Sequence, residues 1–174
     1  MDTEELTEEI MGEFTRENTE IIFLPGMPEM YAEKMQPSDI PEVADIEREC
    51  FSQPWSENSF RSGLEQEAYF YLVVRIKETG QIAGYCGLLQ SLDDAVILNV
   101  AVRPELRGRG IGYAMLHCLM EKGESLGVRH FTLEVRKSNA AALALYKKLG
   151  FASAGTRRNF YRDPPEDAVI MWTE

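Results

Sequence analysis

Three glycines alternate with other residues in Arg107-Gly108-Arg109-Gly110-Ile111-Gly112, where a β-rich run, Asn99-Val100-Ala101-Val102, gives way to a helical one. Glycines at 108, 110 and 112 remove side chains where backbone N–H groups must approach an anion. A helix starting there also aims its unpaired amides and positive dipole end at the same place. Arg107 and Arg109 can add charge-assisted hydrogen bonds to the same oxygens. This pattern suits the binding of a pyrophosphate; a merely tight strand-to-helix connection would use similar residues. Two other phosphate motifs are excluded, because there is no Gly-Lys-Ser/Thr of a nucleotide loop and the spacing is not Gly-x-Gly-x-x-Gly.

The elements that must position this loop follow from hydrophobic periodicity. Residues 69–76, 81–89 and 95–102 are rich in Val, Ile, Tyr and Leu and are separated by turn signals at Thr79-Gly80 and Asp93-Asp94, which predicts an antiparallel meander. A helix from about Gly110 to Leu126, a strand from Arg129 to Val135, a helix from Asn139 to Leu149, and closing strands near 151–160 and 168–172 are expected next. Upstream, Ile40, Val43, Ala44 and Ile46 fall at helical spacing after Pro37-Ser38-Asp39, and Ser56 is placed to cap a short second helix behind a Pro54-Trp55 loop. The order implies an α+β domain around one mixed sheet.

The 174 residues suit one domain, and 44% hydrophobic with 27% charged residues is the composition of a chain that folds. A net charge of −11 and a pI near 4.7 argue against a nucleic-acid clamp and suit a basic substrate. Cys50, Cys86 and Cys118 form no Cys-x-x-Cys pair and read as ordinary buried thiols, and no metal site is indicated. With no membrane-length apolar run and an acidic start, a cytoplasmic protein is expected. Residues 1–30 read as an acidic N-terminal extension, ending in the apolar Ile21-Ile22-Phe23-Leu24 and a Pro-Gly-Met-Pro breaker. Either a disordered tail or a helix with an extra strand docked on the domain of residues 31–174 accounts for it.

The Arg-Gly-Arg-Gly-Ile-Gly loop after Asn-Val-Ala-Val resembles the acetyl-CoA pyrophosphate loop of the GNAT superfamily of N-acetyltransferases, whose pattern is Gln/Arg-x-x-Gly-x-Gly/Ala. The run from Leu133-Glu134-Val135-Arg136 through Ser138-Asn139 and Leu145-Tyr146 to Gly150-Phe151 resembles the bacterial ribosomal-protein-alanine N-acetyltransferases. So do Pro54-Trp55-Ser56, Arg157-Arg158-Asn159-Phe160-Tyr161 and Glu166-Asp167-Ala168-Val169-Ile170-Met171. The similarity spans about residues 35–172. It implies a single domain with a mixed, mostly antiparallel sheet between helices in three α/β/α layers. It also implies acetyl-CoA as cosubstrate, no metal, and a protein acceptor with a free N-terminus, a small-subunit ribosomal protein.

By the same resemblance Glu134 is the general base and Tyr146 the general acid. Val100, Ala101 and Val102 meet the pantetheine arm; Arg107, Gly108, Arg109, Gly110, Ile111, Gly112 and Tyr113 surround the pyrophosphate; Asn139 adds a cofactor contact. Each has a plainer alternative: a solvated edge carboxylate for Glu134, a core position beside Leu143 and Leu149 for Tyr146, a helix cap for Asn139. Trp55 and Tyr161 are either packing aromatics or neighbours of the acceptor peptide. An α-amine, with a reference pKa about 2.5 units below that of Lys, is easier to neutralise by roughly 3.4 kcal/mol, so one modest base is enough. Acetylation of a small-molecule amine, and a CoA-binding interaction module, are the competing readings.

Overall fold

The Val-, Ile- and Tyr-rich runs assemble into one eight-stranded sheet in the computed structural model, which describes residues 19–174. In chain order the strands are β1 (Thr19–Ile22), β2 (Met30–Lys34), β3 (Tyr69–Ile76), β4 (Ile82–Ser91), β5 (Asp94–Val102), β6 (His130–Arg136), β7 (Ala152–Arg162) and β8 (Pro165–Trp172). Their spatial order is β1-β2-β3-β4-β5-β6-β8-β7. All neighbours are antiparallel except β5 and β6. A parallel pair needs a long crossover, and helix α3 (Ile111–Ser125) lies in that connection.

The other helices are α1 (Ile40–Cys50), α2 (Glu57–Leu64) and α4 (Ala140–Lys148). On β3, Tyr71 and Val73 face one way and Leu72 and Val74 the other, as strand alternation dictates. Tyr71 and Val73 join a core with Ile40, Val43 and Ile46 of α1 and Phe60 of α2. Leu72 and Val74 join a second core with Ile111, Met115 and Leu119 of α3 and Tyr146 of α4. Helices therefore cover both faces of the sheet in the expected three layers. Ser56 caps α2 as anticipated, its Oγ accepting from Ser59 N at 3.2 Å.

One local detail differs from the sequence reading. The β4–β5 turn falls at Leu92-Asp93 and not at the two aspartates: Ser91 pairs with Asp94, and Leu92 takes the positive φ of 59° that a two-residue hairpin demands. The sheet begins inside the segment read as the extension, where a docked extra strand was one of the two readings left open: Thr19–Ile22 pairs with β2 and buries Ile22. The helix envisaged upstream lies outside the described residues.

Gly123 of α3 faces the Phe131 ring, where a Cβ would stand 2.8 Å from Cε1 and 3.2 Å from Leu88 Cδ2. Alanine would add about 1 kcal/mol of helix propensity, but overpacking a filled core costs about 1–3 kcal/mol. Gly123→Ala is expected to lower the urea unfolding midpoint; an unchanged or higher midpoint would mean that Phe131 yields without cost.

Candidate active site

β5 and β6 are paired only where Asp94–Val96 meets His130–Thr132. Beyond that point β5 follows β4 as far as Val102 opposite Gly84, and β6 follows β8 as far as Arg136 opposite Ala168. The strands part, and a wedge opens in the middle of the sheet. Arg103 N donates to Ala83 O at 2.9 Å, which sets the alternation along β5. The backbone groups of Ala101 serve β4, whereas those of Val100 and Val102 face the wedge. Of the three strand residues expected to meet the cofactor, two thus turn backbone groups towards the wedge, where an extended chain can pair as an added strand, although Val102 O already accepts from Arg107 Nε and the Cys50 thiol.

At the end of β5 a 3-10 turn (Pro104–Leu106) leads into the glycine-rich loop. Gly108 and Gly110 have φ of +74° and +94°, left-handed conformations that other residues adopt only with strain. Gly110 is also the N-cap of α3 and gives it no side-chain cap, so Ile111, Gly112 and Tyr113 open a 15-residue helix with its dipole uncompensated by a cap. Among the described residues, chain neighbours apart, nothing lies within 4 Å of where a Gly108 Cβ would stand. Open backbone beside an uncapped helix end fits a pyrophosphate. At Gly112 a Cβ would sit 3.3 Å from Leu145 Cδ2, so its absence also admits α4 against α3. Tyr113 is half exposed and stacks on His117. Arg107 donates from Nε to Val102 O at 3.1 Å and places Nη2 3.1 Å from Cys50 Sγ, while Arg109 Nη1 is 3.5 Å from Met27 Sδ.

Glu134 lies on β6 with its side chain 26% exposed, and its Oε1 is 3.2 Å from Arg157 Nη1 on β7. Tyr146 on α4 is buried, edge-on to Phe151 at 5.9 Å between centroids. Burial, with smaller contributions from Tyr161 and Cys86, pushes its phenol well above the usual range, so it keeps its proton at neutral pH. Tyr161 is electrostatically coupled to both Tyr146 and Glu134, which puts the three in one neighbourhood. Asn139 does cap α4, its Oδ1 accepting from Ala142 N at 3.1 Å. The approach to that cap is fixed by Glu166, which accepts from Ser138 N at 2.6 Å and Ser138 Oγ at 2.9 Å. Arg136 donates to the carbonyls of Asp163 and Pro164 and lies 4.2 Å over the Tyr161 ring, tying the β7–β8 turn to the end of β6.

Three residues were not assigned to the site from sequence. Arg157 was visible only as part of a motif. Glu47, 1% exposed, accepts from Tyr85 Oη, from Asn99 Nδ2 at 2.7 Å and from Trp55 N at 3.0 Å. Burial raises its pKa against the opposing effect of those donors. Its signal was available, since a Glu three and four residues after Ala44 and Val43 falls on the apolar stripe of α1. Cys50 corrects an expectation: Cys86 and Cys118 are buried, but Cys50 is only half-buried and lies against Arg107 and Val102, because α1 runs back along β5. Ser52 Oγ donates to Asp163 O, so the α1–α2 connection reaches the β7–β8 turn. In that connection Trp55 packs on Phe60 at 5.7 Å between centroids.

The acetyltransferase (GNAT) family profile matches residues 40–151. The ribosomal protein bS18-alanine N-acetyltransferase of Escherichia coli K12 is 40% identical over 139 residues, covering 79% of this chain and 92% of that protein. The Haemophilus influenzae protein of the same description is 32% identical over 141 residues, 79% and 94% of the two chains. The crystal structure of the ribosomal-protein-S18-alanine N-acetyltransferase from Escherichia coli superposes with a TM-score of 0.75 at 38% identity, over 83% of this chain and 92% of that one. With its glycine-rich loop at an uncapped helix end and a wedge beside it, the chain belongs to the acetyltransferase (GNAT) family as an N-acetyltransferase.

Proposed function

We propose that the chain acetylates the N-terminal alanine amine of a small-subunit ribosomal protein in the cytoplasm, by direct transfer from acetyl-CoA. The observation that carries this reading is the wedge itself: backbone groups of Val100 and Val102 turned towards it on one side, Glu134 on the other, and Tyr146 within the electrostatic reach of the same neighbour, Tyr161. The relatives described as bS18-alanine N-acetyltransferases support the acceptor.

Acetyl-CoA supplies the activated acyl group and a thiolate leaving group. Arg107, Gly108, Arg109, Gly110, Ile111, Gly112 and Tyr113 hold its pyrophosphate, Val100 and Val102 orient the pantetheine arm, and Asn139 adds a contact from the start of α4. Glu134 takes the proton that the acceptor's ammonium must lose before its nitrogen can attack, and Arg157 keeps that carboxylate pointed. Tyr146 gives a proton to the departing sulfur. The cysteines do not carry the acetyl group: burial raises the thiols of Cys50, Cys86 and Cys118, which leaves them protonated and poorly nucleophilic.

Following thiol release with an Ala-initiated ribosomal-protein peptide, an N-terminally blocked Lys peptide and spermidine tests the acceptor; turnover is expected on the first alone, and preference for spermidine would replace it with a small amine. Glu134→Gln is expected to lower kcat by about 10²–10⁴-fold while the KM for acetyl-CoA stays unchanged; a selective rise in that KM would remove Glu134 from the proton path.

The pH profile follows from the two proton sites. Activity should rise as the acceptor's α-amine deprotonates around pH 8 and stay level up to about pH 10, where an ordinary phenol would titrate. The sign follows from Tyr146: its phenol is raised, so the donor form persists as pH increases. A descending limb centred below about pH 9, abolished in Tyr146→Phe, would contradict this, since an acid lost so early is not a buried phenol.

A further inference from the structure

Leu24-Pro25-Gly26-Met27, between β1 and β2, reaches the glycine-rich loop. Met27 N donates to Leu24 O at 3.1 Å, and Gly26 has φ of +73°, the geometry of a turn whose central positions favour Pro and then Gly. Such a turn has little freedom, and it presents Leu24 and Met27 together. Leu24 Cδ2 stands 3.3 Å from where a Gly110 Cβ would be, and Met27 Sδ is 3.5 Å from Arg109 Nη1. Both side chains pack on the core that contains Ile111 and Met115, whereas the preceding Phe23 is 61% exposed. The turn is anchored at both ends. Ile22 pairs with the fully buried Met30, and Lys77 donates from N to Glu29 O at 2.9 Å and from Nζ to the Glu29 carboxylate at 2.8 Å. The family match begins at residue 40, so this brace lies outside the matched domain.

We propose that Leu24 and Met27 are positioning residues for acetyl-CoA: they brace Gly110 and Arg109 and hold the loop ahead of α3 in the conformation that receives the pyrophosphate. This rests on the reading of that loop as the acetyl-CoA site. The choice of partner matters, because a thioether is a weak neutral acceptor. It orients the guanidinium without cancelling its charge, as a carboxylate would, and Arg109 remains available to an anion. A loop ordered beforehand loses less conformational entropy on binding. The benefit therefore falls on cofactor affinity and leaves the chemical step and the acceptor untouched.

The test is calorimetric titration of CoA into the full-length protein and its Leu24→Ala/Met27→Ala double variant, with Phe23→Ala as a control on the same segment. Steady-state kinetics and thermal melts accompany it. The double variant is expected to bind CoA about tenfold more weakly, with a matching rise in the KM for acetyl-CoA and unchanged kcat and acceptor KM. Leu24→Met, which refills the space over Gly110, is expected to bind as the parent does. Equal CoA affinity in the double variant and the parent would overturn the brace while leaving the cofactor site intact, and so would a loss of affinity shared by Phe23→Ala. Failure of the parent itself to bind CoA would overturn both the brace and the reading of the loop.

Discussion

Where β5 parts from β6, the backbone groups of Val100 and Val102 face the wedge in the middle of the sheet, with no strand across from them among the described residues. A polar group left without a partner once water is excluded costs about 1–3 kcal/mol, so these half-buried groups call for partners whenever the wedge is filled. Some of that satisfaction comes from the protein: the Val102 carbonyl accepts from Arg107 Nε and from the Cys50 thiol. On the proposed reading the extended arm of the cosubstrate meets the rest. The surrounding architecture follows from the same parting. Because β6 runs parallel to β5, a helix must cross between them, and it begins where β5 ends. Its amino end therefore lies beside the wedge as a matter of topology.

The two groups assigned to proton transfer differ in how they are held. Glu134 is partly exposed and pointed by a single ion pair from a strand two places away. Tyr146 is enclosed by the α3–α4 core and keeps its proton because burial penalises the phenolate. Glu134 is thus open to solvent and Tyr146 is shielded from it, a difference that suits the proposed roles of groups exchanging protons with different molecules. The α1–α2 connection reinforces the division. Glu47 ties Trp55 to β4 and β5 through Tyr85 and Asn99, and Ser52 fastens the same connection to the β7–β8 turn.

The parts of this architecture that are local in sequence were legible before the structure. The strand–loop–helix around Gly108 to Gly112, the Ser56 cap, the meander and the individual helices each announce themselves within a short window of residues. The three-layer arrangement and the candidate site residues outside that loop came instead from the family resemblance. Contacts between distant segments were not: Arg157 reaches Glu134 across β8, Cys50 reaches Arg107 over 57 positions, and Arg109 reaches Met27 over 82. Gly112 was read from sequence only as part of the loop; the packing of α4 reveals that Leu145 also stands behind it. Leu92 shows the opposite limit. Strand register dictated a positive φ at a residue that local preference would not choose.

The sheet separates two hydrophobic cores that share β3, β4 and β5 as a common wall. The helices bearing the glycine-rich loop and Tyr146 belong to one core, and α1 and α2, whose connection reaches the β7–β8 turn, belong to the other. Side chains in different cores are screened from one another by the sheet, and changes at positions with no shared partner act additively, whereas Cys50 against Arg107 is a point where the two sides meet. On the proposed reading, with the acceptor met from the α1–α2 side, its preference can drift through substitutions there while the grip on the common acyl donor stays constant on the other, a division of labour that lets one scaffold change what it modifies without relearning how.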